Sequence, residues 1–172
     1  MPEFDFTRLD APGTEHVEVS VDGRGVAATG HIVGDGWVLD YTLLCDAAWR
    51  VRSLWLSCGD RIRTLVSDGE GSWTCGDYLP ELQGAIDVDI SATPLTNTLP
   101  IRRLDLAVGE SAEIVTAYVD VPSLDVVLDP QRYTRLSELV YRYESLDSTF
   151  TRDVTVDPDG FILAYPGLFA RA

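Results

Sequence analysis

The strongest constraint on the fold of this 172-residue chain is a period-two alternation of apolar and polar residues. The alternation recurs in residues 17–21, 37–43, 49–52, 86–90 and 139–144. Side chains that alternate in this way lie on opposite faces of a β-strand. Between these runs, Asp-Gly or Gly-Asp dipeptides occupy residues 22–23, 35–36, 59–60, 68–69, 76–77 and 159–160. Spaced hairpin turns of this kind predict an antiparallel β-meander.

A long meander must curl, because an extended flat sheet with two exposed edges promotes aggregation. We therefore expect a mainly β fold, in which a curled antiparallel sheet (a spiral β-roll or half-barrel) surrounds one short helix. Curled sheets of this kind tend to hold ligands in their mouths. The chain shows no repeat, low-complexity stretch or linker, which indicates a single domain over residues 1–172.

Helical periodicity is scarce and is clearest in the segment TPLTNTLPIRRLDL, residues 93–106. We predict a helix from about Asn97 to Leu104, with Asn97 or Thr96 as its N-cap. Ile101 and Leu104 would then lie on one face, packed against the concave side of the sheet. A second, weaker helical pattern covers residues 131–139.

The charge of the chain constrains its partners and its environment. There are 28 acidic residues and 13 arginines but no lysine, so the net charge is −15. Such a surface repels nucleic acid and anionic membranes, and neither is expected as a partner. Halophilic adaptation explains these features; a GC-rich genome that encodes arginine and aspartate is the alternative. With no apolar run of ~20 residues for a transmembrane segment and no signal-peptide pattern, the chain is predicted to be cytoplasmic.

Several long segments resemble a known family. They are AIDVDISATPLTNTLPIRRLDL (85–106), YVDVPSLDV (118–126), QRYTRL (131–136), WRVRSLWL (49–56) and VDPDGFILAYPGLFAR (156–171). Together they are similar to the bacterial and archaeal glycolipid-binding family, whose fold is a spiral β-roll. The resemblance implies a many-stranded sheet wrapped around a single helix, and it is compatible with a homodimer. It also implies a lipid or glycolipid-like ligand, because the fold is similar to that of lipid carriers.

The candidate ligand-binding residues are polar and aromatic side chains near the predicted helix and the sheet mouth. Aromatic faces stack on sugar rings, and arginine makes paired hydrogen bonds to oxyanions and diols. The predicted set is Asn97, Arg102, Arg103, Asp87, Asp89, Trp49, Arg50, Arg52, Arg132 and Tyr133.

Two members of this set have alternative explanations from their neighbours in sequence. Arg102 is expected to anchor a head group, but a salt bridge from Arg102 to Asp87 that braces the helix against the sheet is equally consistent. Arg50 and Arg52 share a strand face with Leu54, as at the lip of an amphipathic pocket. The buried end of a strand in a curled sheet explains the same pattern.

Two further functions are compatible with the sequence. Asp87 and Asp89 share one strand face about 7 Å apart, a separation that suits the acid and base of a glycoside hydrolase. The alternative for this pair is a solvated polar face opposite Val88. The other function is a structural module whose apolar face forms a dimer interface. No GxSxG, P-loop or GxGxxG motif is present, so nucleophilic catalysis and nucleotide binding have no support.

No cofactor or metal is predicted. Cys45, Cys58 and Cys75 form no CxxC pair, and His16 and His31 lie apart in sequence. Reduced, free thiols are the expected state of these cysteines. The DPDG segment at 157–160 lacks the other ligands of a calcium loop and predicts a turn.

Overall fold

The computed structural model describes residues 1–172 as one curled sheet around one α-helix. The first eight strands are β1 (Glu3–Arg8), β2 (Gly13–Asp22), β3 (Gly25–Gly34), β4 (Val38–Asp46), β5 (Val51–Cys58), β6 (Arg61–Ser67), β7 (Trp73–Cys75) and β8 (Asp77–Tyr78). The other seven are β9 (Asp87–Ile90), β10 (Ser111–Val119), β11 (Val126–Ser137), β12 (Val140–Ser145), β13 (Thr151–Val156), β14 (Ile162–Tyr165) and β15 (Phe169–Arg171). The expected mainly β fold is confirmed.

The sheet has 15 strands in the order β8-β7-β6-β5-β4-β3-β2-β1-β15-β14-β13-β12-β11-β10-β9. All neighbours are antiparallel except β9 and β10, which are parallel. Strands β8 and β9 follow each other in the chain but form opposite edges of the sheet, so the sheet curls without closing. Two hydrogen bonds tie these ends together: Gly84 N–H to Gly71 O at 2.8 Å, and the Trp73 indole N–H to Ala85 O at 2.7 Å.

The helix fills the interior of the curl. A 3-10 turn, Leu95–Asn97, leads into α1 (Thr98–Leu104), and Pro100 fits the first helical turn because the N–H groups there have no helical acceptor. Ile101 is buried and Leu104 is half-buried, both packed into a core of 38 buried residues. The helix ends at Asp105, which adopts a left-handed φ of 46°. None of the helical segments could span a lipid bilayer.

Two local predictions were wrong in detail. The Asn97 side chain makes no cap hydrogen bond to the helix. Residues 131–139 are not helical, because most of them extend β11, which pairs with β10 on one side and β12 on the other. A pattern with apolar residues every three or four positions is weak evidence when neighbouring strands offer a full ladder of hydrogen bonds.

A β-bulge explains the change of face in β5. Leu44 pairs with Ser53, but Cys45 pairs with Val51, so Arg52 is the extra residue. Val51 and Leu54 are both buried as a result. The change of face that suggested a pocket lip therefore comes from a β-bulge, which neither explanation from the sequence included.

Candidate functional site

A cavity of about 300 Å³ opens between the concave face of the sheet and the segment that leads into α1. We call it the central cavity. Half of its 14 lining residues are hydrophobic. They are Asp89, Ile90, Ser91, Thr93, Asn97, Tyr118, Asp129, Tyr143, Ser145, Ser148, Phe150, Tyr165, Leu168 and Phe169.

Two carboxylates from different strands meet at this cavity. Gln131 on β11 is fully buried, and its amide Nε2 donates to Asp89 Oδ2 and to Asp129 Oδ2, at 2.7 Å in each case. Because both oxygens bond the same nitrogen, they lie no further apart than twice that distance. One amide thus fixes one oxygen of each carboxyl group.

The carboxyl pair has a perturbed acidity. Burial raises the pKa of Asp89 to about 6, and the charge of Asp129 adds to this, against the hydrogen bond from Gln131 and the nearby Thr96 hydroxyl. Burial also raises the pKa of Asp129. Neither Asp89 nor Asp129 forms a salt bridge, and their shared side-chain partner is the neutral amide of Gln131, so the pair favours additional hydrogen-bond donors.

Aromatic rings form another part of the cavity wall. Tyr143 is at the centre of this group, with ring centroids 5.9 Å from Phe150 and 6.2 Å from Tyr165. Phe169 lies 6.2 Å from Tyr165 in an edge-on arrangement. Rings at these distances pack favourably on each other.

Three of the predicted site residues belong to this region. Asp89 and Asn97 line the central cavity. Tyr133 is buried behind it, and its hydroxyl accepts a hydrogen bond of 2.8 Å from Asn97 Nδ2. Asn97 therefore orients its amide by a contact to β11 instead of capping α1.

A second depression lies at the other end of α1 and contains three more predicted residues. This arginine cleft of about 420 Å³ is lined by Ala47, Ala48, Trp49, Ile101, Arg102, Arg103, Asp105, Arg135, Glu138, Tyr141, Val156, Asp157, Pro158 and Gly160. The Arg102 guanidinium stacks 5.0 Å over the Trp49 ring and donates to Asp159 O at 3.1 Å. The cleft is thus braced by cation–π and hydrogen-bond contacts within the protein.

Asp87 belongs to neither opening. It is fully buried and accepts three contacts of 2.6–3.2 Å from Arg103. Burial raises the pKa of Asp87, and the Arg103 charge opposes this. The solvated face considered for the Asp87–Asp89 pair is wrong at Asp87, and the bracing salt bridge exists with Arg103 in place of Arg102.

The remaining predicted arginines lie elsewhere. Arg132 is outside both openings and forms ion pairs with Glu113 at 2.6 Å and with Glu144 at 3.6 Å. Arg52 Nε donates to Ser67 O at 3.2 Å, and Arg50 is exposed. The ten residues predicted from sequence are therefore not brought together as one site.

Sequence reasoning missed Asp129 and the role of Gln131. A signal for both exists, since Asp129, Gln131 and Tyr133 alternate on one face of β11, and that face is the concave one. The weak helical pattern over residues 131–139 competed with this alternation at Gln131 and Tyr133. No group of three or more His, Cys, Asp and Glu side chains is arranged to hold a metal ion.

Comparisons with known proteins agree with the fold. A family model described as "Putative glycolipid-binding" matches residues 5–171. The crystal structure of a DUF1089 family protein from Pseudomonas aeruginosa is similar over 92% of both chains, with 35% sequence identity and a TM-score of 0.79. No curated protein matches. Since the family model spans nearly the whole chain, this protein belongs to the glycolipid-binding family.

Proposed function

We propose that the protein binds an amphipathic, glycolipid-like ligand without catalysis, and that the sugar head group occupies the central cavity. The observation that carries the proposal is the pairing of two carboxylates with an aromatic wall in one opening of the concave face. Sugar hydroxyls are hydrogen-bond donors that suit carboxylate acceptors, and sugar C–H faces suit aromatic rings.

The size of the cavity limits which part of the ligand it can take. About 300 Å³ is at the lower end of ligand pockets, enough for a head group but not for acyl chains as well. The interior that an open roll would offer to lipid tails is filled by the core packed around α1. The protein therefore holds the polar end of its ligand.

The residues that hold the head group in this proposal differ from Arg102, which was predicted to anchor it. Arg102 and Arg103 lie in the arginine cleft, where their guanidinium groups contact Trp49 and Asp87. The head group is held by Asp89 and Asn97, which line the central cavity.

Co-sedimentation with vesicles tests the proposal. Phosphatidylcholine vesicles with 10 mol% of a diglycosyl diacylglycerol should bind the protein, and vesicles with the unglycosylated diacylglycerol should not. Asp89→Asn and Asp129→Asn should each weaken binding about tenfold or more, the value of a charged hydrogen bond. Asp60→Asn, in the exposed turn between β5 and β6, is the matched control and should bind as the wild type does. Equal binding to both vesicle types would contradict the proposal.

A second candidate, a glycoside hydrolase, is favoured by the geometry of Asp89 and Asp129. Retaining glycosidases hold two carboxyl groups about 5–5.5 Å apart, and the raised pKa of Asp89 suits a general acid. Turnover of nitrophenyl glycosides would support this function if Asp89→Asn removed about 10²–10⁴-fold of the rate. In the binding function no wild-type turnover is expected. Asp87→Asn tests the Asp87–Asp89 pair that the sequence suggested. This substitution should affect stability alone.

A further inference from the structure

The two histidines of the chain lie side by side on the convex face of the sheet. His16 on β2 is directly opposite His31 on β3 in the strand register. On the outer flanks, Asp5 of β1 is opposite His16, and Asp40 of β4 is opposite His31. The four side chains thus form one row across four neighbouring strands, with both imidazoles in the middle.

Each imidazole is oriented by the carboxylate on its outer side. His16 Nδ1 lies 2.8 Å from Asp5 Oδ1, and His31 Nδ1 lies 2.6 Å from Asp40 Oδ1. In an imidazole ring Nδ1 and Nε2 are on opposite sides of the Cβ–Cγ axis. Because both Nδ1 atoms point outwards, both Nε2 atoms are on the sides of the rings that face each other. A carboxylate partner at Nδ1 also selects the tautomer whose Nε2 carries a free lone pair.

We propose that His16 and His31 form a binding site for a divalent transition-metal ion, coordinated through the two Nε2 atoms. Directly opposite residues on antiparallel strands have Cβ atoms about 4.5–5.5 Å apart, which allows one ion to bridge the two rings. A histidine ligand held by a carboxylate at its other nitrogen is the usual arrangement in protein metal sites. Imidazole nitrogen selects Zn²⁺, Ni²⁺ and Cu²⁺ over Mg²⁺ and Ca²⁺, and water completes the coordination.

The surroundings favour a cation at this position. The histidine side chains are 49% and 55% exposed, so an ion can reach both without rearrangement of the core. Glu3 on β1 and Glu18 on β2 are opposite each other, two register positions from the Asp5–His16 pair. They add negative charge near the histidines. Two exposed His–Asp contacts contribute little to stability by themselves. An ion that joins β2 to β3 would pin two of the longest strands together.

Calorimetric titration of the full chain with Ni²⁺ tests the site. Ni²⁺ is preferred to Cu²⁺ because the thiol of Cys75 is only half-buried and Cu²⁺ oxidises accessible thiols. One ion per chain is expected, and His16→Gln and His31→Gln should each weaken binding at least tenfold. Asp5→Asn and Asp40→Asn should weaken it about tenfold through lost orientation of the rings.

Two controls separate a built site from general attraction of cations by an acidic protein. Glu18→Gln removes a nearby charge but no ligand, and should change Ni²⁺ affinity by less than about threefold, since it is exposed and screened. Zn²⁺ titration followed by NMR should shift the ring signals of both histidines together and saturate at one equivalent. Wild-type affinity in either histidine variant, or an equal loss in Glu18→Gln, would overturn the proposal.

Discussion

Replacing Glu15 by glutamine perturbs a buried acid that has no salt-bridge partner. Glu15 lies on the concave side of β2 and is 4% exposed. The Tyr41 hydroxyl donates to Glu15 Oε1 at 2.6 Å, whereas Oε2 has no hydrogen-bond partner. Gly30 provides the room for the Tyr41 ring, because a Cβ at Gly30 would lie 2.2 Å from Tyr41 Cε1. Burial raises the pKa of Glu15 to about 7, against the nearby Thr93 hydroxyl and Tyr41.

The sign and size of the effect on stability follow from this pKa. The unfolded chain loses the Glu15 proton near pH 4.5, but the folded protein keeps it up to about pH 7. The contribution of Glu15 to the free energy of unfolding is therefore fully present below pH 4.5. It is lost as the pH rises through about 7. The loss is on the order of 3 kcal/mol at most, from 1.36 kcal/mol for each pH unit of difference.

Urea denaturation of the wild type and Glu15→Gln at pH 5 and pH 8.5 measures this effect. Glutamine keeps an acceptor for the Tyr41 hydroxyl and is neutral at both values. The free energy of unfolding of the variant minus that of the wild type should be about 1–3 kcal/mol larger at pH 8.5 than at pH 5. Glu18→Gln, exposed on the same strand, is the control and should show no such gain. The same difference in free energy of unfolding at both pH values for Glu15→Gln would refute the reasoning.

Three other predictions concern stability. Arg103→Ala leaves Asp87 buried and unpaired and should cost about 3–5 kcal/mol in urea denaturation, whereas Arg102→Ala should cost less than about 1 kcal/mol because Arg102 is exposed. Ile101→Ala should cost about 2–5 kcal/mol, and Leu104→Ala less, since Leu104 is only half-buried. If the lysine-free, acidic surface is a halophilic adaptation, the melting temperature should rise from low to molar KCl, and a constant value would contradict it.

The fold followed from the sequence because its signals are local. Alternation in β2 and β4 marks one buried face, and the Asp-Gly turns set hairpins between neighbouring strands. The bulge in β5 was not predictable in the same way. Its cause is a mismatch between two strands, and only the pairing of Cys45 with Val51 reveals that Arg52 is extra.

The site was harder to predict because it depends on pairing between distant segments. Asp89 and Asp129 are 40 positions apart in the chain, and the parallel pairing of β9 with β10 brings the first near β11. Asp87 looked solvated by alternation alone. It is buried and is paired with Arg103, which is 16 positions further on. Arg102 was predicted to lie in the same site as Asn97 because the two are near in sequence. In the structure, most of α1 lies between them.

The acids on the concave side differ in their hydrogen-bond and charge partners, and the proposed function rests on this difference. Asp87 has a bidentate arginine partner and is fully buried, so its charge is compensated within the protein. Glu15 has a hydroxyl donor and no route to the solvent. Asp89 and Asp129 face an opening, share one neutral amide, and have no cation. Buried carboxylates without a cationic partner cost stability, and in the proposed function the hydroxyl groups of the ligand offset this cost by completing their hydrogen bonds.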